Sequence, residues 1–160
     1  KDITFVITFV ISIMSTYFNR EEAIEKYLSE YNDEFPMQLE LRHQIEKVFE
    51  FVDACDFEPN SRVWKTSDLL TLLVEVHRAI FKFNLDLDAK EVKKRLGEFY
   101  YLVDKYGNKG LSQANINGEI WDLKDINAYA KAAAQATNDR GTRILRGTIV
   151  QDIISGKTIS

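Results

Sequence analysis

The sequence predicts an all-α fold, a multi-helix bundle of about seven helices joined by short loops. Three observations predict it. Apolar residues recur at helical spacing in one segment after another. Capping and breaking residues punctuate those segments. The length, 160 residues, suits a single domain, which can bury roughly two-thirds of its unfolded surface without disulfides or a metal.

The first segment, "ITFVITFVISIM", is rich in β-branched and aromatic residues, so a strand is its rival. A helix is expected, because an uninterrupted run of this length is long for a strand. It is too short to cross a bilayer as a helix, which takes about 20 residues. It also lacks the basic flank and small-residue cleavage site of a signal peptide. Asn19 and Glu22 read as a capping box that starts a second helix at Arg20. Ala23, Ile24, Tyr27, Leu28 and Tyr31 form its apolar face. A third helix, over about 37–54, carries Leu41, Ile45, Val48, Phe49 and Val52 at helical spacing.

"DFEPNSRVW" reads as a loop, since Pro59 holds Glu58 extended and Asn60-Ser61 favour a turn. Thr66 or Ser67 can then cap "DLLTLLVEVHRAIFKF", which is apolar around most of its girth and so should be the central helix. Asp88 caps "AKEVKKRLGEFYYLVDKY", where Gly97 suggests a close helix crossing. The stretch 107–122, with its glycines and asparagines, is expected to be the longest loop. Two helices close the chain, over "DLKDINAYAKAAAQAT" and "DRGTRILRGTIVQDII". The alanines of the first would let a neighbour approach closely.

Several chemistries are excluded or left without support. The single cysteine, Cys55, rules out an intrachain disulfide and a four-cysteine zinc site. With Asp53 and Asp56 beside it, Cys55 is a poor nucleophile and reads as a buried small hydrophobe. One cysteine also fits a reducing cytoplasm. His43 and His77 lie in different helices without a second ligand at metal-binding spacing, so no metal or other cofactor is expected. There is no Gly-x-Ser-x-Gly elbow. The adjacent carboxylates, such as Glu21-Glu22 and Asp86/Asp88, sit where helix starts and solvated faces place them.

Charge is unevenly spread. Residues 1–60 carry 5 Lys/Arg and 13 Asp/Glu, and residues 61–160 carry 16 and 12. Two basic groupings follow from this. Lys90, Lys93 and Lys94 share one face of a helix, as either a solvated face or a phosphate contact. In "ATNDRGTRILRG", Asp139 is placed to cap a helix start, and Arg140, Arg143 and Arg146 fan over about 120° of one side. With Ile144, Leu145, Ile149 and Ile153 covering much of the rest, the fan has two readings. One is a helix docked by salt bridges to the acidic N-terminal half. The other is an anion site, built from Asn138 and the three arginines beside free helix N–H groups.

The strings "REEAIEKYLSEYNDEFP", "NSRVWKTSDLLTLLVEVHRAI" and "AYAKAAAQATNDRGTRILRGTIV", with the apolar first segment, resemble the helical C-terminal portion of a bacterial family. These are the DGQQR-motif proteins, which carry a ParB/sulfiredoxin-like N-terminal domain and are related to the nucleotide-hydrolysing subunit of GmrSD-type restriction systems. The family's chemistry surrounds an Asp-Gly-Gln-Gln-Arg motif that this sequence lacks, so no catalytic residue carries over. The resemblance implies a non-catalytic accessory domain within a longer cytoplasmic protein, and the start at Lys1 is read the same way. Its implied partner is the ParB-like domain of the same protein, with nucleic acid as a further candidate and no membrane. The setting would be DNA-targeting restriction or phage defence. The rival reading is a structural or oligomerisation bundle with no ligand, whose arginines are spent internally.

Overall fold

The computed structural model describes residues 2–15, 17, 20–135 and 137–157. Among them are seven α-helices: α1 (Asp2–Met14), α2 (Arg20–Glu30), α3 (Gln38–Cys55), α4 (Thr66–His77), α5 (Ala89–Tyr106), α6 (Lys124–Ala134) and α7 (Arg140–Ile154). A short 3-10 turn, Arg62–Trp64, precedes α4, and a π-turn, Arg78–Lys82, extends it. The helical bundle read from the sequence is therefore the fold observed. The capping box at Asn19 and Glu22 lies outside the described residues.

Helix α4 is the hub and packs against α1, α3 and α7. Leu70, Leu72, Leu73, Val74 and Val76 are all buried along it. Helix α5 lies across α3, α6 and α7 and contributes Val92, Leu96, Phe99 and Val103 to the same core. Burial of these faces stabilises each helix far more than its intrinsic propensity does. That explains α1, whose β-branched residues favour strands in isolation. Packed on α4, α1 buries Phe9, Ile11 and Ile13. It also buries two hydroxyls without cost in unmade bonds. Thr8 donates to Thr4 O and Ser12 to Thr8 O, each at 2.7 Å. Among the described residues, no helix is long and apolar enough to cross a membrane.

Local signals set several boundaries as expected. Asp88 Oδ1 accepts from Glu91 N at 2.9 Å and starts α5. Asp139 Oδ2 accepts from Gly141 N and Thr142 N at 2.9 and 3.3 Å and starts α7. At α4 the expectation fails. The helix begins at Thr66 itself, with Lys65 in the cap position and no side-chain cap bond. Thr66 and Ser67 fall inside the first turn rather than before it.

The stretch 107–122 is not wholly loop. Residues Gln113–Ile116 (β1) and Glu119–Asp122 (β2) pair antiparallel, with Ile116 opposite Glu119 and Gln113 opposite Asp122. Asn117 and Gly118 turn the hairpin with φ of 53° and 91°. Both are left-handed, as a type I′ turn requires. Asn115 Oδ1 accepts from Gly118 N and holds the turn closed.

Close approaches between elements fall at Gly147 and at Gly107, which meets Ala130 of α6, and not at Gly97. A methyl group on exposed Gly97 would meet nothing. On Gly147 it would come within 2.6 Å of Glu75 Oε1 and of the Tyr17 ring. Gly147→Ala is therefore expected to lose roughly 1–3 kcal/mol through overpacking. Gly97→Ala should be neutral or gain up to about 1 kcal/mol. Urea unfolding midpoints at unchanged slope would check both. Equal effects at the two sites would contradict the close approach at Gly147.

Candidate functional site

The strongest concentration of polar chemistry is a seam through the middle of the bundle. Three polar residues, Asp68, Thr71 and Glu75, lie on one face of α4 at helical spacing, among the apolar residues of its middle. They meet Arg146 and Gly147 of α7, Tyr129 of α6 and Tyr17 from the segment after α1. Asp68, Glu75, Arg143 and Arg146 are each no more than 2% exposed. A buried charge is tolerable only when it is well paired or hydrogen-bonded, and the seam supplies such partners in three groups along the face of α4.

In the first group, Asp68 Oδ2 accepts from Arg62 Nε at 2.9 Å and Oδ1 accepts from the Tyr129 hydroxyl at 2.6 Å. Arg62 also donates to Asp104 at 2.7 Å and lies 5.9 Å over the Tyr129 ring. Burial lowers the Arg62 affinity for its proton, but Asp68 and Asp104 outweigh that and the net shift is upward. Burial first, then the neighbouring Tyr100 phenol and the Asp68 carboxylate, raises Tyr129 well above the usual range, so it stays a donor.

In the second group, Glu75 Oε1 accepts from the Tyr17 hydroxyl at 2.7 Å and from Arg78 Nη1 at 3.4 Å. The Gln151 amide lies against Glu75; assigned with its nitrogen toward α4, the orientation that pairs a donor with these acceptors, it donates to Glu75 O at 3.1 Å and Oε2 at 2.9 Å. Burial raises Glu75 above the ordinary carboxyl range, partly offset by the Tyr17 bond and by Arg78.

The third group is Arg146. Its Nη1 donates to Ala132 O at 2.6 Å, its Nη2 to Thr137 O at 3.1 Å and its Nε to Thr71 Oγ1 at 3.3 Å. Burial pulls its proton affinity down, and Tyr129 and Asp68 push it back. Arg143, one turn earlier, donates to Thr137 O and to Asn138 Oδ1, both at 3.4 Å. The two arginines thus tie the connection between α6 and α7 to the face of α4.

The α7 side chains divide differently from a basic side and an apolar side: Ile149 and Ile153 are buried, and two of the arginines join them. Arg143 and Arg146 face inward, while Ile144 and Leu145 are 38% and 40% exposed. The fan does not act as one surface. Arg140 stays exposed, with Nε donating to Tyr17 O at 3.0 Å. Asn138 is exposed and lines, with buried Arg143, a cleft of about 690 Å³ walled by α1, Trp64 and the start of α4. The α5 lysines lie elsewhere. Lys93 sits 3.7 Å from Asp56 and 3.6 Å from Glu58 in the loop after α3, and Lys90 and Lys94 are exposed.

Sequence reasoning missed Asp68, Thr71, Glu75, Tyr17 and Tyr129. The available signal was the polar stripe at 68, 71 and 75 inside an apolar helix.

The remaining reactive groups are accounted for by burial. Cys55 is buried at the end of α3, and desolvation pushes its thiol up to about 12, which leaves it inert. No group of three metal-ligating side chains occurs among the described residues. His43 is exposed and His77 is buried, with Nε2 2.7 Å from Gln44 Oε1. Burial, then Lys82 and Arg78, lowers the His77 pKa from 6.5 to about 4.

A folded pKa below the unfolded one means that the unfolded chain binds the extra proton first. The His77 contribution to stability is therefore complete above pH 6.5 and drains away as pH falls toward about 4. Glu75 acts in the opposite sense, since its raised pKa favours the folded state as it protonates. Urea titrations across this window should show a shallower pH slope for His77→Gln than for the parent. An unchanged slope would mean that His77 titrates normally.

No model of a known protein family matches the chain, and no curated protein or solved structure matches it.

Proposed function

We propose that this chain is a non-catalytic helical accessory domain of a DGQQR/ParB-like protein. In that reading it works by contact, with the ParB-like domain of the same polypeptide as its first partner, in cytoplasmic DNA-targeting restriction or phage defence. One observation carries the non-catalytic part. The buried acids of the seam are engaged by its bases and phenols, Asp68 by Arg62 and Tyr129, and Glu75 by Tyr17 and Arg78. Such a network orders helices and fixes their register. The resemblance supplies the setting. Incubating the purified chain with nucleoside triphosphates and magnesium should release no phosphate above the blank. Steady turnover would end this reading.

A phosphate-contact role, if the domain has one, falls to the exposed groups Asn138, Arg140, Lys90 and Lys94. Fluorescence anisotropy with duplex DNA at low salt tests it. Affinity that drops on Arg140→Ala combined with Lys94→Ala supports contact. No binding, or binding indifferent to these changes, leaves the domain as a protein-docking or purely structural bundle. The inward turn of Arg143 and Arg146 favours that second reading.

A further inference from the structure

Helices α1 and α2 leave an apolar groove between them. Val6, Val10 and Met14 line one wall, and Leu28, Tyr31 and Phe35 line the other. Val6 and Leu28 are each 54% exposed, although both belong to faces that helices of a bundle normally bury. The groove encloses about 230 Å³. That is below the roughly 300–1,000 Å³ of clefts that enclose a small molecule. It suits the few anchor side chains that an amphipathic helix lays into a surface.

The rim decides what kind of helix. Between Ile3 and Met14, α1 carries no charged residue. On the α2 side, Glu25, Glu30, Asp33 and Glu34 are all exposed, against Lys26 alone of the opposite sign over residues 23–41. An acidic rim repels an anionic lipid surface. It also opposes a symmetric contact with a second copy, which would set two acidic rims against each other. It attracts a basic partner.

We propose that the α1–α2 groove docks a basic amphipathic helix, with apolar anchors at i, i+4 and i+7 and lysines or arginines along the flank facing α2. This rests on the domain working by contact and names the partner's chemistry. It does not depend on which polypeptide carries that helix.

The test uses the whole chain and a labelled synthetic helical peptide with leucine anchors and lysine flanks, beside the same peptide with glutamate flanks. The lysine peptide should bind. Its affinity should fall about tenfold or more with Leu28→Glu or Val6→Glu, and it should weaken as salt rises. Both substitutions sit on exposed positions, so circular dichroism melts should stay near those of the parent. Four results would overturn the proposal: no binding of the lysine peptide, equal binding of the glutamate peptide, dimerisation that Leu28→Glu abolishes, or preferential binding to phosphatidylserine vesicles. None of these would bear on the absence of nucleotide turnover, so the accessory-domain reading stands or falls separately.

Discussion

Arg146→Ala is expected to destabilise the chain by roughly 3–5 kcal/mol, a large part of the 5–15 kcal/mol that holds a typical domain together. Three losses combine. The acceptors Ala132 O, Thr137 O and Thr71 Oγ1 each lose a charged donor, although Thr137 O keeps Arg143 and Thr71 Oγ1 keeps its own bond to Ser67 O; an unmet buried acceptor such as Ala132 O costs about 1–3 kcal/mol. The guanidinium leaves a void in a site that is 0% exposed. The negative field of Asp68, which favours the Arg146 charge, loses its counterpart. Lysine should rescue little, because a single ammonium cannot reach three acceptors in a fork. Chemical denaturation of the alanine, lysine and methionine variants would rank these terms. A phosphate-binding arginine on an open surface would give a change within about 0.5 kcal/mol. A result that small at Arg146 would remove the inward placement of the α7 arginines.

The contrast between Arg146 and Arg140 marks how far the sequence could be read. Local chemistry was legible wherever it was decisive. Asp88 and Asp139 announced two helix starts by residue type and position alone, and the apolar girth of α4 announced the hub. The hairpin also has a local signal in the sequence, one that a loop reading of 107–122 overlooks. Asn117-Gly118 between short alternating runs is a turn signature, and the surrounding glycines and asparagines read as loop. What could not be read was anything set by distant partners. Gly97 and Gly147 look alike in the sequence. Only Tyr17 and Glu75, brought in by α1 and α4, crowd the second of them. The inward turn of Arg143 and Arg146 likewise depends on the carbonyl groups of Ala132, in the last turn of α6, and Thr137, beyond it, and on Thr71 across the interface. Polarity by itself assigns arginines to solvent, so the sequence leaves a docked helix and an open anion site as rival readings until the tertiary partners are in place.

Asp68→Ala should rival the Arg146 replacement, at roughly 3–5 kcal/mol, because it strands partners that stay buried. The Arg62 side chain is 10% exposed and keeps only Asp104, which lies toward solvent. The Tyr129 hydroxyl, enclosed by α5 and α4, loses its acceptor. Asp68→Asn keeps an oxygen for one of these donors and should cost less than alanine. The sharper measurement is a double-mutant cycle between Asp68→Ala and Arg146→Ala. No direct bond between the two carries the coupling. It runs through the field that offsets the burial of Arg146 and through the shared face of α4. A coupling of about 0.5–3 kcal/mol is therefore expected, larger than the 0.3–0.5 kcal/mol or so typical of an exposed helical pair such as Arg42–Glu46. If the two losses simply add, Asp68 and Arg146 are separate anchors and the seam is not one network. If they couple, a single electrostatic unit holds α4, α6 and α7 in register. Fixing helices that way needs no ligand, and it leaves binding to the surfaces outside.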